Sequence, residues 1–382
     1  MFRTLRFVGT VALVICLPAI LALGWWQRDY LMGWYLAHQL VVAKPEEKNQ
    51  LVESLSKLGE HAQYPLLDYL ETSDAKSAPD LCFAIGAMMD HWGGIKSKAS
   101  QEFYHHLARR FQNLPDDAKT EVLRLMLRMD DPQAREFTPA KDLSGGTRWI
   151  LGIVAKDGKA PALHASVSIV AEILKTIPDR EFQAICADIV SRAIQAGDED
   201  TKVRAIQLAI QPETGMVDLT VQALQDPSVQ VRKSAMLACA PALESISVDV
   251  LLPSLHDKDS EIRSLCETAL GARGLRPEHI KLGKLITDSN PAKRLEVLDY
   301  MLEDPELDQS VWLRKLSHDP SAAVRVGALR AMAAQTTVDM SDRIDQMSRT
   351  DPSKTVVELA SYYQKMARKV QAAETSTTLI NQ

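Results

Sequence analysis

Four heptapeptides, DPSVQVR at 226–232, DKDSEIR at 257–263, DSNPAKR at 288–294 and DPSAAVR at 319–325, begin 31 residues apart each time. A fixed period of that size marks a supersecondary unit that stacks on copies of itself. Two relatives flank the series. DEDTKVR at 198–204 stands 28 residues upstream, and DPSKTVV at 351–357 carries Val357 where the others carry arginine. In each string the leading aspartate, Asp198, Asp226, Asp257, Asp288, Asp319 or Asp351, reads as a helix N-cap. Pro227, Pro320 and Pro352 would then be first helical residues, where the missing N–H costs nothing. Apolar residues follow at helical spacing, as in Val324, Ala328, Leu329 and Met332. A second apolar helix precedes each aspartate, for example VDVLLPSL before Asp257 and VWLRKL before Asp319. Two short antiparallel helices per period result, an all-α architecture.

The arginine closing each string lies six residues from its aspartate, about 600° and hence about 120° around a helix. It is poorly placed to pair with its own aspartate. In a stack of equivalent helices Arg204, Arg232, Arg263, Arg294 and Arg325 would form a row, each reaching the next repeat's cap. The alternative is a row of solvated arginines on the outer helix face, and exposed pairs would contribute only about 0–1 kcal/mol each.

The strings DPSxxVRxxA, ALGARG from Ala269 and LSKLGEHAQYPLLDYLETSD from Leu55 together resemble short-period HEAT repeats of the phycobilin-lyase type. The likeness covers 198–357 and 51–74; Leu58-Gly59 would close a first helix, and Pro65, Leu66, Leu67 and Leu70 would line a second. Full HEAT repeats run about 40–47 residues, so this period belongs to a shorter subclass. The resemblance implies a right-handed α-solenoid of stacked antiparallel helix pairs. It says little of activity, since unrelated proteins share the repeat.

Phe7 to Trp26 is a run of twenty residues without a charge, long enough as a helix to span a bilayer and ending in interfacial aromatics. The expected fold is therefore the solenoid preceded by a single transmembrane helix, with a cleaved signal peptide as the alternative. Arg3 and Arg6 precede the span, which places the N-terminus in the cytoplasm and the solenoid outside it, in a periplasm or cell envelope. The expected order is an anchor at 1–28, a juxtamembrane helix at 29–44, repeats at 45–130, an irregular loop or hinge at 131–147, repeats at 148–370 and a polar tail at 371–382. The loop, DPQAREFTPAKDLSGGT, has two prolines and a glycine pair.

Composition narrows the function. Of 382 residues 46% are hydrophobic, and 44 basic against 50 acidic residues give a net charge of −6, with no electrostatic case for nucleic acid. No metal-binding, phosphate-binding or nucleophile motif occurs, so no catalytic residue, cofactor or metal is expected. His105 and His106 are adjacent and point apart on a helix, while His61, His256 and His318 read as surface or capping residues. Cys82, Cys186, Cys239 and Cys266 sit among apolar positions and read as free buried thiols. Trp149 and Trp312 read as core residues, with anchors on the concave face as the alternative. The expected function is a non-catalytic, membrane-tethered scaffold that binds a protein or peptide on the concave solenoid face and the lipid bilayer through 7–26. The alternatives are a chromophore-handling protein akin to phycobilin lyases, on resemblance alone, and an accessory subunit of a membrane or cell-envelope complex.

Overall fold

The structure, a computed structural model, describes residues 28–130, 138–177, 179–211, 214, 216–303, 307–334 and 340–380. These residues are helical, with turns between helices and no strand among them. The chain divides into two compact units between Ala238 and Cys239.

In the first unit the helices fall into two rows. The first row holds α1 (Arg28–Val42), α3 (Gln63–Glu71), α5 (Lys98–Arg110), α8 (Ser144–Asp157), α10 (Arg180–Ala196) and α12 (Val217–Ala223). The second holds α2 (Pro45–Leu58), α4 (Ala78–His91), α6 (Asp116–Arg128), α9 (Ala160–Thr176) and α11 (Glu199–Ala209). Each helix packs on its predecessor in the same row, α1 on α3, α3 on α5, α2 on α4, α6 on α9, α9 on α11. The core lies between the rows, where Leu55, Leu66, Ile85, Phe103, Leu123, Ile150, Val170, Ile189 and Ile206 are fully buried. A one-turn helix α7 (Thr138–Asp142) packs against α8, and α13 (Val229–Cys239) ends the unit.

The second unit repeats the pattern: α14 (Val248–Leu251) runs into a 3-10 turn at Leu252–His256, then come α15 (Ser260–Ala272), α16 (Pro277–Ile286), α17 (Pro291–Glu303), α18 (Gln309–Leu316), α19 (Ala322–Ala334), α20 (Ser341–Thr350) and α21 (Lys354–Ile380). Pairs α16–α17, α18–α19 and α20–α21 each pack together, and α17, α19 and α21 stack in order. The ALGARG string ends α15 in a Schellman motif: the Leu275 N–H donates to the Leu270 carbonyl at 3.1 Å and the Gly274 N–H to Gly271 at 2.9 Å. Gly274 sits at φ 87°, a conformation that penalises a Cβ, which explains the terminal glycine of that string.

Several expectations need correction. No helix among the described residues is long and apolar enough to cross a membrane, so the single transmembrane helix and the single-pass placement, N-terminus cytoplasmic and solenoid extracytoplasmic, are not borne out. The stretch 7–26 lies outside the described residues, as do 131–137 of the expected loop. Residues 28–42, within the segment read as juxtamembrane, form α1. α1 packs on α2 and α3, and a Cβ at Gly33 would lie 2.9 Å from the His61 carbonyl oxygen. The helix pairing at 45–71 is also out of phase with the resemblance. The helix ending at Leu58 stacks in the second row and that containing Pro65 in the first, because in a continuous antiparallel array the sequence pattern alone does not say which helix opens a pair.

Candidate functional site

In each unit the repeated aspartates stand just before the starts of second helices. They are not N-caps in the 31-residue series. The carboxylates of Asp226, Asp257, Asp288, Asp319 and Asp351 each accept the backbone N–H two residues on, at 2.7–2.9 Å. The residue reached, Ser228, Asp259, Asn290, Ser321 or Ser353, is the one that opens the helix, its carbonyl taking the first intrahelical bond. The prolines therefore precede the N-cap instead of following it. Asp198 differs: it is itself the N-cap of α11 and accepts from the Thr201 N–H at 2.9 Å.

This two-residue offset accounts for two of the three residues by which the 28-residue spacing falls short of 31, and it changes which side chain belongs to the basic row. Counted from the N-cap, Arg232, Arg263, Arg294 and Arg325 are fourth in their helices, and so is Lys202 in α11. Arg204 is sixth and exposed. Lys202 accordingly holds Asp226, its Nζ 2.7 Å from the carboxylate, with both side chains largely buried. The expected place of Arg204 in the row is thus corrected. Replacing Lys202 with methionine should cost about 2 kcal/mol, between the values for exposed and buried pairs. Arg204→Ala should stay within about 0.5 kcal/mol. Chemical denaturation followed by circular dichroism separates the two, and equal losses would contradict the assignment.

Each arginine also does something the helix-angle argument missed. Nη1 of Arg232, Arg263, Arg294 and Arg325 donates to the backbone carbonyl of its own aspartate at 2.7–2.9 Å and to that of the next residue at 3.0–3.1 Å. In Arg294 and Arg325 that clamp turns Nε and Nη2 towards the next repeat. Arg294 grips Asp319 through both, at 2.6 and 2.9 Å, and Arg325 grips Asp351 at 2.8 Å twice. These side chains are 4–9% exposed, so the pairs are desolvated and bidentate. Hydrogen bonding to Asp319 holds the Arg294 guanidinium above its ordinary value against the opposing effect of burial, and Asp351 does the same for Arg325. Burial pushes the Asp351 carboxyl up, but hydrogen bonds from Arg325 and from the Ser353 N–H, with the charges of Arg325 and Arg343, bring it below the usual range. Sparser links join the same edge of the first unit: Lys48 to Asp80 and Lys159 to Asp116, both at 2.5 Å, and His164 to Thr201 at 3.1 Å.

Aromatic side chains collect on the first-row helices of the first unit. Trp34 and His38 of α1 lie 4.8 and 6.1 Å from the Tyr69 ring of α3, and Tyr64 lies 5.6 Å from His106 of α5 with the Arg110 guanidinium 5.9 Å above it. Leu31, Tyr35, Tyr64 and Trp149 remain 56%, 58%, 43% and 56% exposed. Trp149 was expected in the core and is not there; Trp312, 8% exposed, is. Between α5 and the start of α8 opens a cleft of about 430 Å³ lined by Lys98, Glu102, His105, His106, Asp142 and Ser144-Gly145-Gly146. The glycines have a packing role there, since a Cβ at Gly146 would lie 2.7 Å from the Tyr104 ring.

Cys82, Cys186, Cys239 and Cys266 are free and buried, and burial pushes each thiol up to about 12, far from a reactive thiolate. His256 Nε2 donates to the Lys284 carbonyl at 2.7 Å, and His318 Nδ1 to the Arg314 carbonyl at 2.9 Å. Among the described residues no group of three His, Cys, Asp or Glu is placed to hold a metal ion.

No protein-family model matches the chain, and no curated protein matches it. A crystal structure described as an engineered protein aligns over 88% of this chain and 95% of its own at 17% identity, with a TM-score of 0.24, too low to carry any argument about fold or function.

Proposed function

We propose that the chain is a non-catalytic helical-repeat scaffold of the HEAT-like class whose first-row surface binds a protein or peptide partner. The observation that carries the reading is the set of exposed aromatics on three first-row helices, Tyr35 on α1, Tyr64 on α3 and Trp149 on α8, with α5 between the last two. Large aromatics left in solvent at that level are costly for a soluble surface and are the residue types that dominate interface energetics. They belong to different repeats, so an extended segment lying across the row would meet them in turn, as solenoids present long surfaces built from successive units.

The test is affinity capture with the full chain against Tyr64→Ala and Trp149→Ala variants, with partners identified by mass spectrometry and helical content checked by circular dichroism. A partner recovered by the parent should fall at least tenfold with the double variant while helicity is unchanged. Equal recovery would remove this surface from the account.

A further inference from the structure

We infer that the second unit contains a built-in hinge between α15 and α17, with Arg263 and Asp288 as a latch that stands open in this structure. All the chemistry of the rung is present in the sequence, yet the rung is not made. Arg263 holds the standard pose, its Nη1 2.7 Å from the Asp257 carbonyl and 3.0 Å from that of Lys258, as Arg294 and Arg325 do at their own repeats. From that pose Arg294 and Arg325 reach the next aspartate, whereas Arg263 makes no ion pair with Asp288. The Asp288 carboxylate instead accepts its local bond from the Asn290 N–H at 2.7 Å and acts electrostatically on Lys293 and Arg294 of its own repeat. With the arginine posed alike, the difference lies in where the following repeat sits.

Packing agrees with this. α17 stacks on α19 and α19 on α21, but no comparable packing joins α15 to α17. The buried core of the later repeats is a continuous cluster from Leu282 to Ala360 that takes in no residue of α14, α15 or the 252–256 turn. On the first-row side the same boundary is closed. Gly283 approaches Leu252 so nearly that a Cβ would lie 2.5 Å from its methyl group, and His256 bonds the Lys284 carbonyl at 2.7 Å. Lys315 of α18 pairs with Asp249 of α14 across the intervening helix pair. A boundary pinned on one side and unlatched on the other can rock about the pinned side. The closed state gains a desolvated bidentate pair and the open state keeps both charges hydrated, so neither is strongly preferred. That balance is what a bistable element needs.

Zero-length carbodiimide coupling in the full chain tests the inference, because an amide forms only between an amine and a carboxylate in contact. The Arg263→Lys variant is expected to couple to Asp288, as identified by mass spectrometry of the digest, at several times the background left by an added Asp288→Asn substitution. The yield should fall as salt is raised. Arg325→Lys, where contact with Asp351 already exists, gives the reference reaction. Coupling at 325 to 351 without any at 263 to 288 would overturn the latch.

Discussion

Replacing Arg294 with leucine is expected to destabilise the second unit by about 3–5 kcal/mol, the usual cost of removing one member of a buried ion pair. The loss exceeds that of an ordinary surface pair because Asp319 is left behind with a side chain only 4% exposed, and the Asp288 and Ser289 carbonyls lose their donor as well. Asp319→Ala should be harmful for the mirrored reason, since Arg294 would be stranded at 9% exposure. The double variant should lose much less than the sum of the two, with a coupling energy of about 1–3 kcal/mol. Arg263→Ala is the internal comparison. It gives up only two carbonyl contacts and no buried carboxylate, so about 1 kcal/mol is expected. Because a repeat array unfolds piecewise, hydrogen exchange of the α16–α21 amides is the appropriate readout alongside denaturant midpoints. A loss at Arg294 no larger than that at Arg263 would show that the rungs do not hold the repeats together.

Arg273→Ala should cost about 3 kcal/mol or more, although this residue, the arginine of the ALGARG string, stands outside the row of arginines at the helix starts. Its guanidinium collects four backbone carbonyls: Ile246, Cys239 at 2.8 Å, Ala240 at 3.2 Å and Ala242 at 3.4 Å. The Cys239 and Ala242 carbonyls also accept backbone N–H groups, from Ala242 at 3.2 Å and Ile246 at 3.1 Å, so the loss falls chiefly on the Ile246 and Ala240 carbonyls, and unpaired buried carbonyls cost about 1–3 kcal/mol each before water re-enters. Arg273→Lys should recover only part of the loss, since an ammonium cannot address carbonyls on both sides of a planar fork. The expected signature is faster exchange of the amides around Ile246 in both variants, larger for alanine. Unchanged exchange there would mean the clamp is dispensable.

The period, the helical nature of each half-repeat and the pairing of arginine with a neighbouring aspartate could be read from the sequence, because apolar spacing and opposite charges at a fixed interval leave few other arrangements. The exact start of each helix could not. An aspartate at the cap and an aspartate two residues before it look alike until the third position is compared, where serine, aspartate or asparagine recurs at 228, 259, 290, 321 and 353. That column was the available signal for the later repeats, but Asp200 fills it in the 198–204 string as well, so it could not have moved the basic row from Arg204 to Lys202. The early repeats were legible only as helical pattern. There the boundaries are held by apolar packing and by links such as Lys48 to Asp80, which follow no constant spacing. Trp149 illustrates a different limit. An aromatic at helical spacing is usually core, and only the placement of its helix in the first row shows that this one is left in solvent. The glycine pair at 145–146 likewise suggested a loop and proved to be the opening of α8, with Gly146 small enough to admit the Tyr104 ring.

An experimentally determined structure with ordered side chains at the start of α11, α19 and α21 bears most directly on how consecutive repeats are joined. It should show the Lys202 ammonium on Asp226 with Arg204 in solvent, and the Arg294 and Arg325 guanidinium groups chelating Asp319 and Asp351. Arg204 seated on Asp226, or the helices beginning at 291 and 322 separated by another element, would contradict the arrangement.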